Sequence, residues 1–183
     1  AMMLTFYGMR RRLPVPYESV LAKAFRHGRV TVARNMSPEI AAQILAFHDA
    51  PDADAEGKVA AFRAIVADVG RICREAASAR DIDRPLLALQ NLAKVHGLPM
   101  PSITEDPSWA RMNDLDLCTS HCGKGCIRYF GFEPPSATGF GVGYAVGPAG
   151  MQFSINNFSQ AEADKYTAAL EAHLLSLQEV FSA

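Results

Sequence analysis

The sequence has no apolar run near the ~20 residues that a membrane-spanning helix needs, and no leader of the secretory type. The cytoplasm is therefore the expected compartment and no membrane partner is expected. No basic stretch exceeds Arg10-Arg11-Arg12, and the formal charge is -1, so a nucleic acid would find no electrostatic footprint. Internal repeats and low-complexity tracts are also missing. Cysteine is scarce: four in 183 residues are too few for a disulfide-stapled secreted scaffold. Three of them, Cys118, Cys122 and Cys126, crowd around His121 and offer four soft donors. Zinc sites more often add a distant second pair, and Cys73 is the only other thiol. Buried or half-buried free thiols are expected, no metal is assigned, and a Cys/His metal-binding domain stays as an alternative.

What is present is a chain of ordinary apolar content, 49%, that fits one domain over residues 2–183. A chain of this length buries about 70% of its unfolded surface. Ala1 ahead of Met2-Met3 reads as a cloning remnant, and the paired methionines suggest a natural short reading frame. Leu4-Thr5-Phe6-Tyr7 begins abruptly, as if it continued an upstream segment.

The first half reads as helical. Tyr17, Val20, Leu21, Ala24 and Phe25 form an i, i+3, i+4 stripe that Gly28 ends. Ser37-Pro38-Glu39 supplies an N-cap, a proline at the first helical position and an early acid, opening a helix through Phe47. A polar loop over 48–57 follows. Val59, Phe62, Ile65, Val66, Val69, Ile72 and Cys73 mark a long amphipathic helix, and Arg84 to Val95 another, closed by Gly97. Then the period changes. Residues 114–120, 126–132, 140–146 and 151–155 read as strands, with a hairpin at 147–150. Ser159 and Glu162 form a capping box for a last helix with Tyr166, Leu170, Leu174, Leu177 and Phe181 on one face. The expected fold is α/β: N-terminal helices packed on a small mixed sheet, with a closing C-terminal helix.

Several motifs in order carry a resemblance. They are Tyr17-Glu18-Ser19, the Gly28-Arg29 to Arg34 segment, Asp83-Arg84 with Leu86-Leu87, Cys118-Thr119-Ser120, Phe130-Gly131 and Gly139-Phe140-Gly141-Val142-Gly143-Tyr144. Together they resemble the C-terminal portion of the choline/carnitine O-acyltransferases. The resemblance implies a CoA-dependent acyltransferase-like domain. Its reaction moves an acyl group between CoA and carnitine or choline, with acyl-CoA as co-substrate and no tightly bound cofactor.

The resemblance also implies roles. Ser120 stabilises the oxyanion, while Tyr17, Arg84, Cys118, Thr119 and Phe130 contact the alcohol substrate. Arg84 matches the arginine that holds the carnitine carboxylate, whereas Val30 stands where choline enzymes carry valine. An alternative for Arg84 is an exposed helix start paired with Asp81 or Asp83. Arg128 replaces the residue that limits acyl length and would block a fatty tail, so a short acyl group is expected. His121 replaces a glutamine near CoA. The family's catalytic histidine has no counterpart among His27, His48, His96, His121 and His173. His121 adjoins Ser120, but consecutive strand residues point to opposite faces. Two readings follow: an incomplete enzyme that a histidine-bearing partner completes, or an inert module that binds a small quaternary-ammonium ligand or self-associates as a homo-oligomer.

Overall fold

The computed structural model describes residues 1–51, 54–122, 127, 129–148 and 150–182. Six α-helices surround a five-stranded mixed sheet, so the α/β expectation holds. Helix α1 (Met2–Arg10) precedes β1 (Pro16–Leu21) and β2 (Val30–Ala33). Helices α2 (Pro38–Asp49), α3 (Ala55–Ala77), α4 (Asp83–His96) and α5 (Pro107–Asn113) follow. Strands β3 (Leu117–His121), β4 (Phe140–Gly147) and β5 (Gly150–Asn156) then lead into α6 (Gln160–Ser182). The sheet order is β2-β1-β3-β4-β5, with β1, β3 and β4 parallel and both edge strands antiparallel to their neighbours. Among the described residues no helix is long and apolar enough to cross a membrane.

Local chemistry sets many of these boundaries. The Ser37 hydroxyl accepts from the Ile40 N–H with Pro38 at the first helical position, so α2 begins where its cap predicts. Gly97 takes a left-handed conformation and ends α4. At the start of α6 the helix begins just after Ser159, but the expected capping box does not form. The Glu162 N–H goes to the Ser159 carbonyl, the Ser159 N–H to Asn157 Oδ1, and the Glu162 carboxylate to Arg10 and Lys165.

Three expectations are corrected. Residues 17–21 are strand β1, not a helix; Leu21 and Phe25 of the supposed apolar stripe stay exposed. Val20 pairs with Thr31 and Tyr17 with Cys118, and that two-sided ladder overrides a spacing that fits a helix by coincidence. Gly28 lies in the β1–β2 connection instead of ending a helix. Ile127 and 129–132 form no strand; Cys126 and Arg128, within the expected strand, lie outside the described residues. Helix α1 was not foreseen, because its length is short and its apolar residues point to two places. Leu4 joins Ile40, Ile44, Phe47, Ala61, Ile65 and Leu177 in a helical core. Phe6 joins Leu117, Phe140, Val142, Tyr166 and Leu170 against one face of the sheet. The ring of Tyr166 stacks on Phe140 at 4.4 Å and its hydroxyl donates to the Met2 carbonyl, closing α6 over α1.

Asp116 fixes the entry to β3. Its side chain is 3% exposed and accepts from Arg12 Nη1 at 2.7 Å and Nη2 at 2.6 Å. It also accepts from Arg111 Nη2 at 2.7 Å and from the Val15 N–H at 2.9 Å. Burial alone pushes this carboxyl's pKa upward, but the hydrogen bonds from Arg12, Arg111 and Val15 outweigh it and hold the pKa below the ordinary value. A depressed carboxyl stabilises the fold above its unfolded pKa of about 3.9, and that stability is lost as pH falls through the folded value. Asp116→Asn should therefore cost about 2–3 kcal/mol in urea denaturation at pH 7, below the loss for a fully buried pair because both arginines are half exposed. The gap between variant and wild type should shrink on acidification below about pH 4.

Candidate functional site

Strand pairing decides which side chains share a face. Register aligns Tyr17 with Cys118 and Glu18 with Thr119, and Ser120 with Gly143. Because strand residues alternate, Tyr17, Cys118 and Ser120 lie on one face and Glu18, Thr119 and His121 on the other. The hydrogen bonds agree: Thr119 is 5% exposed and its hydroxyl donates to Glu18 Oε2 at 3.0 Å. The His121 ring lies 5.2 Å from the Tyr144 ring, whose hydroxyl also donates to Glu18. Thus the side chains of the Cys-Thr-Ser triplet do not share one face.

Ser120 is half-buried, and among the described residues no hydrogen bond engages its hydroxyl. Phe130 reaches the same place. A Cβ at Gly143 would lie 2.5 Å from the Phe130 carbonyl oxygen and 3.4 Å from its ring, and the Phe132 carbonyl comes almost as near to Gly141. The close approach that the glycines of β4 signal is therefore the backbone of residues 130–133, laid across the strand. Cys118 is half-buried, its thiol pKa pushed up to about 11 by burial first and by the Glu18 charge second. It is a neutral thiol at pH 7. Arg128 lies outside the described residues, as does Cys126. Among the described residues no three His, Cys, Asp or Glu side chains gather to hold a metal ion.

A cleft of about 330 Å³ opens between β1, α4 and α5, walled by Tyr17, Arg34, Asp83, Arg84, Gln90 and Trp109 among others. Its two arginines differ in state. Arg34 is spent: it forks onto Asp83 at 2.9 and 3.1 Å, donates to the Met112 carbonyl and sits 5.5 Å over the Tyr17 ring. Arg84 is exposed at the start of α4 and gives one side-chain hydrogen bond, Nη2 to the Val30 carbonyl at 3.0 Å. Asp83 belongs to Arg34, and Asp81 takes the Thr31 hydroxyl at 2.7 Å. The guanidinium thus stays available for an incoming anion. Tyr17 belongs both to this cleft and to the face that carries Ser120; burial raises its phenol pKa. The cleft gathers Tyr17 and Arg84, while Cys118, Ser120 and Phe130 stand further along the same face.

Sequence reading missed Glu18, the Arg34–Asp83 pair and Trp109 as parts of this region. Arg34 and Asp83 are 49 residues apart, so no local spacing announces their pairing.

The family model for choline/carnitine O-acyltransferase matches residues 1–172, and the chain belongs to that family. It is 30% identical over 168 residues to mitochondrial carnitine O-palmitoyltransferase 2 of Macaca fascicularis, covering 91% of this chain and 25% of that protein. It is 27% identical over 186 residues to choline O-acetyltransferase of Homo sapiens, covering 100% of this chain and 25% of that protein. The chain spans about a quarter of the length of these curated relatives.

Gly143→Ala tests the approach of the crossing segment. A methyl group 2.5 Å from a carbonyl oxygen forces backbone to move. The variant should lose about 1–3 kcal/mol in chemical denaturation, with a matching change in the environment of Phe130 by NMR. Gly147→Ala, where nothing lies within 4 Å, should leave Phe130 unmoved.

Proposed function

We propose that this chain is the acceptor-and-oxyanion portion of an acyltransferase. It would move a short acyl group between CoA and carnitine, or choline, and act in the cytoplasm. One observation carries the reading: Tyr17, Cys118 and Ser120 share a sheet face beside a cleft where, among the described residues, the Arg84 guanidinium forms no ion pair and only its backbone N–H meets a carboxylate, that of Asp81. A guanidinium holds a carboxylate with two parallel hydrogen bonds, which favours an acceptor that bears one, such as carnitine, over choline. Val30 meets Arg84 through its backbone carbonyl, while its valine side chain matches choline enzymes, so the two residues point to different acceptors.

In the reaction a base removes the proton of the alcohol, the resulting alkoxide attacks the thioester carbonyl carbon, and the carbonyl oxygen gains the negative charge. The Ser120 hydroxyl donates to that oxygen. The carbon–sulfur bond then breaks and CoA leaves as a thiolate that takes a proton. Arg84 and Tyr17 orient the acceptor, with Phe130 as an apolar wall. The base comes from elsewhere: His121 stands on the opposite face from Ser120. A histidine-bearing polypeptide would supply it, and the apolar surface of α4, with Leu89, Leu92 and Val95 exposed, suits cover by such a polypeptide. If no histidine-bearing polypeptide joins it, the second reading follows: a module that binds the ligand without turning it over.

The test is acetyl transfer from acetyl-CoA to carnitine, followed as thiol release, with calorimetric binding in parallel. Ser120→Ala should lower any turnover by about 10²–10³-fold, the usual loss for one oxyanion donor. Arg84→Ala should weaken carnitine binding about tenfold or more, as expected for a lost charge-assisted pair, and leave choline unaffected. Carnitine bound without thiol release identifies the module; no binding of carnitine or choline overturns both readings.

A further inference from the structure

The acyltransferase reading gives no role to Glu18, a carboxylate that accepts from three side chains. Glu18 is half-buried on β1, on the face opposite Ser120. Its Oε1 accepts from the Tyr144 hydroxyl on β4 at 2.7 Å. Its Oε2 accepts from the Thr119 hydroxyl on β3 at 3.0 Å and from Asn35 Nδ2, just beyond β2, at 3.2 Å. Asn35 in turn presents Oδ1 to the Cys73 thiol on α3 at 3.8 Å. Every donor is neutral. Among the described residues no arginine, lysine or histidine forms an ion pair with Glu18.

This placement ties together what the other face must present. Glu18 follows Tyr17 in the chain, and Thr119 precedes Ser120. Backbone hydrogen bonds set the β1–β3 register, but they leave the strands free to twist and shear by fractions of an ångström. A carboxylate bonded to β3, to β4 and to the end of β2 removes that freedom. Each bond on this face therefore fixes the attitude of the next residue on the other. We propose that Glu18 is a positioning residue: its triple acceptance sets the spacing of the Tyr17 ring and the Ser120 hydroxyl across the acceptor site. The proposal rests on the acyltransferase reading for what the spacing serves, but not for the spacing itself.

Glu18→Gln is the conservative change, at constant shape. Its amide places an N–H₂ among donors. The Tyr144 and Thr119 hydroxyls can rotate and accept, but Asn35 Nδ2 cannot. With its oxygen towards Thr119 and Asn35, the glutamine keeps both of those bonds and asks only the Tyr144 hydroxyl to turn and accept. Glu18→Ala removes all three acceptances together. No cation is orphaned by either change.

The experiment follows wild type, E18A and E18Q below their melting temperatures, by NMR of labelled Tyr17 and Ser120 and by calorimetric titration of carnitine. E18A should move both sets of resonances and weaken carnitine about tenfold, while the conservative E18Q, which keeps the Thr119 and Asn35 bonds, should return both towards wild type. Thr119→Val, which removes one donor, should move the same resonances less and serves if E18A does not fold. Unmoved Tyr17 and Ser120 resonances with only a lower melting temperature would overturn the proposal and leave the acyltransferase reading intact. Resonances that move and recover in a protein that binds no carnitine or choline would uphold the positioning role and sink the acyltransferase reading.

Discussion

A single desolvated carboxylate organises the junction on which the rest depends. Asp116 stands one residue before β3 and draws Arg12 from beyond α1, Arg111 from α5 and the Val15 N–H from the approach to β1. Those segments are about 100 residues apart in the chain, and closing such a loop costs conformational entropy that local contacts cannot offset. The grip is directional. Four donors converge on one buried group, so β1 and β3 enter the sheet side by side and in the same direction. Parallel pairing needs such a long crossover, here supplied by α2 to α5. If Asp116 were misplaced, the alignment of Tyr17 with Cys118 would slip, and with it the face that carries Ser120.

The sequence made several elements legible because their signals are local. Ser37-Pro38-Glu39 opens α2, Gly97 stops α4, and the step from Val146 to Met151 turns β4 back into β5. These depend on the conformational preferences of a few adjacent residues. Strand β1 was misread for the opposite reason. Its identity comes from partners 9 to 15 residues downstream in β2 and about 100 away in β3, and Tyr17, Val20 and Leu21 can decorate either a helix or a strand. Likewise, the glycines of β4 announced a close neighbour without naming it; the neighbour is the segment that had been expected to form a strand of its own.

Of the site, the residue types were readable and their grouping was not. The family motifs pointed to Tyr17, Arg84 and Ser120, and the period-two rule already set His121 apart from Ser120. The same rule turns Thr119, expected beside the alcohol substrate, to the opposite face, where its hydroxyl donates to Glu18. Whether Arg84 is free could not be read from spacing, because two aspartates precede it. The answer depended on Arg34 and Thr31, which claim Asp83 and Asp81.

Helix α4 has one consequence of its own. Its first turn borders the cleft, through Arg84, Leu86 and Leu87, while its later turns leave Leu92 and Val95 in water, the latter 77% exposed. A helix held so lightly, with Ala93 its one buried residue, is a shared lever. Any molecule that steadies it from the cleft lowers the entropy still to be lost by one arriving on the leucine side, and the converse holds equally. Were both places filled, reciprocity would couple the two occupants without contact between them.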